Sequence, residues 1–201
     1  MPKKIIVIGA GENSAVITNI LKEQYTVAGF LDDHVKNNDI LGPISMYKKY
    51  LQSHLFFITI GNNCIRSELF KKIKNGGGIF VNAIHKTAFL EQSIELGTNI
   101  FIGARSYINI NTRIDNHVFI NNCCIIEHDN TILSGAHITP GVITGGGTKV
   151  GARTFIGLGS IINDHITIGD DTIIGSGSVV ITDIASSVLV AGIPAKIVKK
   201  L

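Results

Sequence analysis

The feature that most constrains the fold is a six-residue repeat that runs from residue 90 to residue 180 without a slip. Every sixth residue in this stretch is Leu, Ile or Val, with Thr144 as the exception. A period of six fits neither an amphipathic helix, which repeats every 3.6 residues, nor a strand that alternates every two. It is typical of a hexapeptide solenoid, in which short strands meet at corners and each coil pairs with the next.

Two other positions of each hexad support the same fold. The residue after each aliphatic one is often Gly, Asn or Asp, and we expect it to adopt an unusual φ at a turn. The residue four places after the aliphatic one is mostly small or β-branched, which leaves room at an inward corner. If three hexads close one triangular coil, the stretch makes about five coils. The sequence therefore predicts a left-handed parallel β-helix over residues 85–201, with a C-terminal tail.

Residues 1–84 follow a different pattern, in which apolar strands alternate with helical segments. Strands are predicted at Lys4–Ile8, Thr26–Leu31 and Leu55–Ile60, and helices at 13–24 and 65–73. Alternation of strand and helix indicates a parallel sheet, here a short Rossmann-like α/β domain. The ligand site of such a sheet lies at the carboxyl ends of its strands.

Glycine and polar residues gather at those strand ends. Gly9-Ala10-Gly11 follows the first strand, Asp32-Asp33 the second and Gly61-Asn62 the third. The first turn reads Gly-x-Gly-x-x-Ser, with Asp32 about twenty residues further on. This favours a phosphate at the helix amino terminus and an aspartate on a ribose or base, against the alternative of plain tight turns. Because the domain is short for a dinucleotide, a mononucleotide or nucleotide sugar fits better.

The regular repeat is broken beside a histidine. The corner position at Asn130, usually small, holds a larger amide two residues after His128, which is followed directly by Asp129. Breaks of this kind are expected at functional sites. His128 is therefore a candidate general base oriented by a carboxylate, and an exposed histidine without function is the alternative.

Metal and thiol chemistry have less support. When positions are counted within an eighteen-residue coil, no three of the four histidines in the repeat fall on one face: His117, His128, His137 and His165. We therefore expect no metal, and a metal site between subunits stays open as an alternative. Cys124 takes an inward corner position, where packing is the expected role of a thiol, so covalent catalysis is not expected.

Composition excludes several classes of partner. The net charge is +3 with no block of Lys or Arg, which argues against nucleic acid. No apolar run approaches a membrane span, and Ile5–Ile8 leads directly into a glycine turn instead of a signal-peptide cleavage region. Three cysteines, two of them adjacent, form no disulfide framework. We expect a cytoplasmic protein with no nucleic-acid or membrane partner.

Several short motifs, in order, resemble the bacterial sugar acetyltransferases of the sialic acid, bacillosamine and perosamine pathways. They are the Ile-Gly-Ala-Gly turn, Phe30–Asp33, Ile60–Asn63 with Arg66, Asn82-x-Ile84-His85, Ile125–Asp129 and Gly192–Lys196, and they span nearly the whole chain. The resemblance implies an acetyl-CoA-dependent N-acetyltransferase acting on a UDP-linked amino sugar. The resemblance further implies a 4-amino-4,6-dideoxy sugar for surface glycan or glycoprotein synthesis. The alternatives are O-acetylation of a sialic-acid-like sugar and a non-catalytic nucleotide-sugar-binding protein.

The resemblance also implies roles for particular residues. His128 is the catalytic base, Asp129 raises its basicity and Asn121 helps to place the acceptor. Acetyl-CoA contacts fall at His137, Leu158 and Ser176, and nucleotide-sugar contacts at Gly11, Asn13, Asp32, Asp33 and Gly61. The family turn often reads Gly-His-Gly where this chain has Glu12-Asn13-Ser14, so Asn13 replaces a histidine contact.

The spacing of two histidines predicts an oligomer. His128 and His137 are nine residues apart, half of an eighteen-residue coil, so they face apart within one chain. Both can serve one site only if it lies between subunits, and a cyclic homotrimer supplies such a site three times.

Overall fold

The structure, a computed structural model, describes residues 3–35 and 39–201. The chain divides into two compact units, Met1–Ala83 and Ile84–Leu201. Within the described residues, no helix has the length and apolarity needed to cross a membrane. Each unit has its own hydrophobic core and is described separately.

The N-terminal unit is a four-stranded parallel sheet with helices. Its strands are β1 (Lys4–Ile8), β2 (Thr26–Leu31), β3 (Ile40–Gly42) and β4 (Leu55–Ile58), paired in the order β3-β2-β1-β4. Its helices are α1 (Glu12–Leu21), a 3-10 helix (Ile44–Tyr50) and α2 (Asn63–Asn75). Residues 5–8 of the central strand β1 are completely buried, which explains why β1 reads as an unbroken apolar run. This is the arrangement of a short Rossmann-like domain.

The central elements match the sequence prediction more closely than the peripheral ones. β1 and β2 have the predicted bounds, and the ends of α1 and α2 differ from prediction by one to three residues. The prediction that the third strand extends to Ile60 was wrong, since β4 ends at Ile58; Thr59 follows it, and its Oγ1 donates to Gly9 O at 2.8 Å. β3 and the 3-10 helix were not predicted, because such short segments carry too little periodicity.

The second unit is a parallel β-helix built from two-residue strands. Each strand pairs with the strand eighteen residues on, so three strands make one coil. The hexapeptide register predicted from Leu90 to Val180 is therefore confirmed. The strands are β5 (Ala83–Ile84), β6 (Phe89–Leu90), β7 (Glu95–Leu96), β8 (Phe101–Ile102), β9 (Tyr107–Ile108), β10 (Arg113–Ile114), β11 (Phe119–Ile120), β12 (Ile125–Ile126), β13 (Thr131–Ile132), β14 (His137–Ile138), β15 (Ile143–Thr144), β16 (Lys149–Val150), β17 (Phe155–Ile156), β18 (Ile161–Ile162), β19 (Thr167–Ile168), β20 (Ile173–Ile174) and β21 (Val179–Val180).

The three sheets of the β-helix differ in the side chains that they present outward. In nearly every strand the second residue is buried in the core, so the first residue points outward. The sheet of β7, β10, β13, β16 and β19, the polar face, presents Glu95, Arg113, Thr131, Lys149 and Thr167. The sheet of β6, β9, β12, β15, β18 and β21, the aliphatic face, presents Phe89, Tyr107, Ile125, Ile143, Ile161 and Val179. The sheet that contains β8, β11, β14 and β17, the aromatic face, has Phe101, Phe119, His137 and Phe155 at the corresponding positions, and the first three of these are buried.

The glycines that follow the aliphatic positions allow close approach of coils. The expectation of an unusual φ at these positions was wrong, since Gly103 has no positive φ. An added Cβ there would lie 2.6 Å from Asn122 N in the next coil. Positive φ instead occurs two residues later in the turns, for example at Asn111 (57°) and Asp129 (59°). Each turn therefore uses a small residue for packing and then one that tolerates the left-handed conformation.

The β-helix ends in an antiparallel hairpin. β22 (Val188–Ala191) pairs in parallel with β20, and β23 (Lys196–Lys200) pairs with β22 as the exposed last strand of that sheet. The sequence predicted only a tail here, because the six-residue period ends at Val180.

Thr144, the exception in the aliphatic column, offers a test of the packing. It is fully buried, and its Oγ1 has no hydrogen-bond partner within the described chain. The buried Thr148 Oγ1, in contrast, has two carbonyl acceptors for its one hydrogen, Gly145 O at 3.0 Å and Asn163 O at 3.1 Å. Thr144→Val should raise the free energy of unfolding by about 1 kcal/mol, and Thr148→Val should lower it by about as much. Thermal melting at one fixed protein concentration measures both effects. A lower Tm for Thr144→Val would contradict this account.

Candidate active site

A cavity of about 570 Å³ opens at the carboxyl ends of the central strands in the N-terminal unit. All five residues predicted to contact a nucleotide sugar line it: Gly11, Asn13, Asp32, Asp33 and Gly61. Because parallel strands end at the same edge of a sheet, three separate turns reach one space. The structure thus brings together the residues that the sequence placed at three strand ends.

The cavity is also lined by residues that sequence reasoning missed. Among them are His34 after the aspartates, Ile44 at the start of the 3-10 helix and Thr59 after β4. For Thr59 the available signal was its position at the end of a predicted strand. Ile44 carried no such signal, because the helix that places it was not predicted.

Helix α1 begins at this cavity. Gly11 is its N-cap and makes no side-chain cap, so first-turn N–H groups remain for an anion, which the helix dipole also favours. The Asn13 amide packs against Gly61, where an added Cβ would lie 2.8 Å from Asn13 Nδ2. A larger residue at position 61 would displace the Asn13 side chain, so Gly61 allows Asn13 to line the cavity.

The two aspartates after β2 have different environments. Asp33 is exposed and, among the described residues, accepts a backbone hydrogen bond from Ile44 N at 2.8 Å. Asp32 is partly buried, which raises its carboxyl pKa, but backbone N–H donors lower that pKa further, so it lies below its ordinary value. Asp32 therefore holds the turn in shape, and Asp33 has the carboxylate with more room for a ligand. The donors to Asp32 are the N–H groups of Ala10 (2.7 Å), His34 (2.8 Å) and Val35 (2.8 Å).

The loop after β4 is held by a buried arginine. The Arg66 side chain is 0% exposed, and it donates to Ile60 O at 2.9 Å, Gly61 O at 3.0 Å and Asn63 Oδ1 at 2.8 Å. Burial lowers the pKa of Arg66 to about 9, which leaves the guanidinium charged at neutral pH. Its charge-assisted hydrogen bonds determine the path of the Gly61 backbone at the cavity.

His128 and Asp129 form an exposed pair in the turn after β12. His128 Nδ1 lies 2.7 Å from Asp129 Oδ2, and the two side chains are 52% and 56% exposed. The pKa of Asp129 is lowered, first by the hydrogen bond with His128 and next by one from Asn111. Because an ionised carboxylate only accepts, Nδ1 carries the hydrogen of this bond, and in the neutral imidazole Nε2 is then the nitrogen with the lone pair. This is the arrangement of a general base and its orienting carboxylate.

The imidazole of His128 lies over Gly146 in the next coil. A Cβ on Gly146 would lie 2.6 Å from Cε1 and 2.7 Å from Nε2 of His128. Ala104 occupies the equivalent position of another turn, where its N–H donates to Asn122 Oδ1 at 2.8 Å. The N–H of Gly146, in contrast, donates to no acceptor within residues 3–35 and 39–201. Gly146 is buried beside the imidazole, so this turn holds an N–H without an acceptor among the described residues.

Asn130, where the sequence departs from the repeat, is fully buried at the same corner. Its Nδ2 donates to Glu127 O at 2.7 Å, His128 O at 3.2 Å and Gly145 O at 2.9 Å. The amide therefore ties the backbone of His128 to the coil that carries Gly146. The break in the repeat that singled out His128 in the sequence thus has a structural cause.

His137 lies on a different face of the β-helix from His128. It projects from β14 on the aromatic face and is 7% exposed. Its ring stands edge-on between Phe119 and Phe155, with centroid distances of 5.7 and 5.3 Å. Within one chain, the structure does not bring His137 to His128.

The other predicted β-helix residues lie in a second set of turns. Asn121, Leu158 and Ser176 occupy turns that lead from the aromatic face into the aliphatic face, and Leu158 and Ser176 are exposed one coil apart. His128 occupies a turn that leads out of the aliphatic face. These two groups therefore lie at opposite edges of the aliphatic face within one chain.

An α/β unit with a strand-end cavity, followed by a hexapeptide β-helix with a histidine–carboxylate pair, is the architecture of an acyltransferase. Residues 4–73 match the PglD N-terminal domain, and residues 147–182 match the bacterial transferase hexapeptide (six repeats). The solved structure of PerB from Caulobacter crescentus, in complex with CoA and GDP-perosamine, is 32% identical. It superposes with a TM-score of 0.93 over 98% of this chain and 97% of that one.

Two further relatives support the same class of enzyme. The acetyltransferase domain of PglB from Neisseria gonorrhoeae FA1090, in complex with acetyl coenzyme A, is 26% identical with a TM-score of 0.94, covering 98% of this chain and 100% of that one. UDP-N-acetylbacillosamine N-acetyltransferase of Bacillus subtilis (strain 168) is 30% identical over 112 residues, 51% of this chain. The match spans 52% of the length of that curated relative. The chain belongs to the hexapeptide-repeat sugar N-acetyltransferases with a PglD-type first domain, and the predicted Rossmann-like and left-handed β-helix folds are confirmed.

The two aspartates at the cavity should differ in their effect on stability. Asp32→Asn should cost about 1–3 kcal/mol at pH 7, because one amide oxygen replaces a carboxylate that accepts three backbone N–H groups, and Asp33→Asn should cost less. A lowered carboxyl pKa stabilises the fold above the ordinary value of 3.8, and that stability is lost as the pH falls through the folded pKa. Denaturant titrations should therefore show the Asp32→Asn deficit shrinking below about pH 4. A deficit that does not change with pH would contradict the electrostatic origin.

Proposed function

We propose that this chain is an acetyl-CoA-dependent N-acetyltransferase that acts on the amine of a nucleotide-linked amino sugar. The observation that carries the proposal is the exposed His128–Asp129 pair, whose imidazole lies beside a Gly146 N–H that has no acceptor among the described residues. The relatives support it, since the solved structures contain CoA with GDP-perosamine or acetyl coenzyme A.

The proposed reaction is direct transfer. The sugar amine attacks the thioester carbonyl, an N–C bond forms, and the amine proton passes to Nε2 of His128 while Asp129 stabilises the imidazolium. The N–H of Gly146 donates to the oxyanion of the tetrahedral intermediate. The C–S bond then breaks, and the departing thiolate takes the proton from His128. Cys124 is not a competing nucleophile, because it is fully buried and burial raises its thiol pKa to about 11.

The strand-end cavity is the proposed site for the nucleotide. The amino terminus of α1, with Gly11, Asn13 and Gly61, would hold phosphates, and Asp33 would accept from a ribose or base. Such a handle supplies remote binding energy that orients the reacting amine. The acceptor that we propose is a UDP-linked 4-amino-4,6-dideoxy sugar for surface glycan or glycoprotein synthesis, acetylated in the cytoplasm. The Bacillus subtilis relative, named for a UDP-sugar, supports this choice.

We further propose that the enzyme is a homotrimer. His128 lies at one edge of the aliphatic face, and Asn121, Leu158 and Ser176 lie at the other. In a cyclic assembly, one edge of each chain meets the opposite edge of its neighbour, which completes a site with residues from both. The aliphatic face also carries an exposed apolar column that a partner would cover. Its most exposed members are Phe89 (58%), Ile161 (43%), Ile143 (39%) and Ile125 (37%).

Removal of the proposed base tests the activity. His128→Ala should lower kcat by about a hundredfold or more with little change in either KM, because the histidine acts on the proton and not on binding. Asp129→Asn should have a smaller effect, and His54→Ala, in the N-terminal unit, serves as a matched control. Release of CoA thiol is measured with UDP-amino sugars, GDP-amino sugars and free sialic-acid-type sugars.

The same assay separates the alternatives. Equal turnover by wild type and His128→Ala would remove His128 from the mechanism. Acetylation of free sialic-acid-type sugars as efficient as that of any nucleotide amino sugar would establish the O-acetyltransferase. Binding of a nucleotide sugar without thiol release would establish a non-catalytic binding protein.

Two separate substitutions, each of which introduces a negative charge on a different face, test the proposed trimer. Ile143→Glu places a carboxylate in the apolar column of the aliphatic face and should yield monomers without activity. Lys149→Glu makes a comparable change on the polar face and should leave the trimer intact. Size-exclusion chromatography with light scattering measures both masses. A monomeric wild type at assay concentration would refute the trimer.

A further inference from the structure

A residue that the proposed mechanism does not use lies beside Asp129 in the preceding coil. Asn111 and Asp129 are eighteen residues apart, and the strands that follow them pair in register, Arg113 with Thr131. Both residues have left-handed backbone, with φ of 57° and 59°. Their side chains therefore start from the same backbone conformation in stacked turns, about 4.8 Å apart at normal strand spacing.

Hydrogen bonds connect Asn111 to His128 through the carboxylate. Asn111 Nδ2 donates to Asp129 Oδ1 at 3.1 Å, while Asp129 Oδ2 lies 2.7 Å from His128 Nδ1. Because a carboxylate only accepts, the NH₂ end of the Asn111 amide must face it. The two oxygens of Asp129 thus have separate donors, and two fixed oxygens determine the plane of the carboxylate.

We propose that Asn111 is a positioning residue for acetyl transfer, which holds Asp129 Oδ1 so that Oδ2 stays aimed at Nδ1 of His128. This inference rests on the proposed role of His128 as the base. The Asp129 side chain is 56% exposed, so packing does little to restrain it. Loss of the Asn111 donor frees the carboxylate to rotate, and the imidazole then loses its fixed tautomer and orientation.

The charge state of Asp129 agrees with this role. Its pKa is lowered first by the hydrogen bond with His128 and next by the one from Asn111. Asn111 therefore stabilises the ionised form of Asp129, which is the form that orients a neutral imidazole and stabilises an imidazolium.

The repeat supplies a matched control in the same turn. Asn109 Nδ2 donates to Glu127 Oε2 at 2.7 Å, which is also a hydrogen bond from an asparagine to a carboxylate eighteen residues on. That bond ends on Glu127 and not on the His128–Asp129 pair. Glycine occupies the equivalent position of Asn111 at Gly141, and that of Asn109 at Gly103, so the fold accepts glycine at both.

The experiment compares Asn111→Gly with Asn109→Gly in the full chain. Asn111→Gly should lower kcat by about fivefold to tenfold, with both KM values within about twofold of wild type, because binding groups are untouched. Asn109→Gly should keep kcat within about twofold. Nitrogen-15 NMR of the His128 ring should show the Nδ1–H tautomer in wild type and Asn109→Gly, and a mixture of tautomers in Asn111→Gly. Asn111→Ser, whose shorter side chain does not reach Asp129, should behave like Asn111→Gly.

The outcomes separate this inference from the proposed function. Wild-type kcat and an unchanged tautomer in both Asn111 variants would overturn it, and so would an equal loss of kcat in Asn109→Gly. If His128→Ala keeps full activity, the proposed base fails, whereas the NMR comparison still decides whether Asn111 orients the pair.

Discussion

The β-helix depends on its eighteen-residue register, which places each residue beside its counterpart in the next coil. Buried Ile and Val side chains stack in this register, and backbone bonds such as Asp129 N to Ile110 O, at 3.0 Å, repeat along it. A slip of one residue would turn every inward side chain outward. The same register sets the contacts of His128 with Gly146 and of Asp129 with Asn111. The geometry of the candidate site is thus a direct product of the packing period.

In the N-terminal unit, polar side chains that hold backbone alternate with polar side chains that remain open. Asp32, Thr59 and Arg66 use their hydrogen bonds on the turns that follow the strands. Asn13 and Asp33, beside them, line the cavity with fewer internal bonds. The backbone N–H and C=O groups of a loop that binds a ligand still need hydrogen-bond partners. Here one set of side chains supplies those partners, and a neighbouring set remains available to the ligand.

The sequence predicted the β-helix in register because its period appears in every hexad, and Asn130 pointed to His128 because it breaks that period. Positive φ was the predicted reason for glycine at positions such as Gly103, whereas the structure shows that close approach of coils requires it. Both requirements select glycine, so the sequence alone does not distinguish them. The lack of an acceptor for the Gly146 N–H could not be predicted, because it depends on the positions of side-chain acceptors in the adjacent coil. The role of Asp32 was equally hidden, since the donor Ala10 reaches it only in the folded sheet.

The place of His128 along the solenoid has a consequence for dynamics. Each coil contacts only its neighbours, so opening begins at the ends, where a coil has a single neighbour to lose. Six short strands, β6 to β11, precede β12 in the six-residue repeat, and nine follow it up to β21. The β22–β23 hairpin adds a further layer at the C-terminal end. The corner that carries His128 therefore lies in the part of the β-helix expected to fray last, and its amide hydrogens should exchange with solvent more slowly than those of the outer coils.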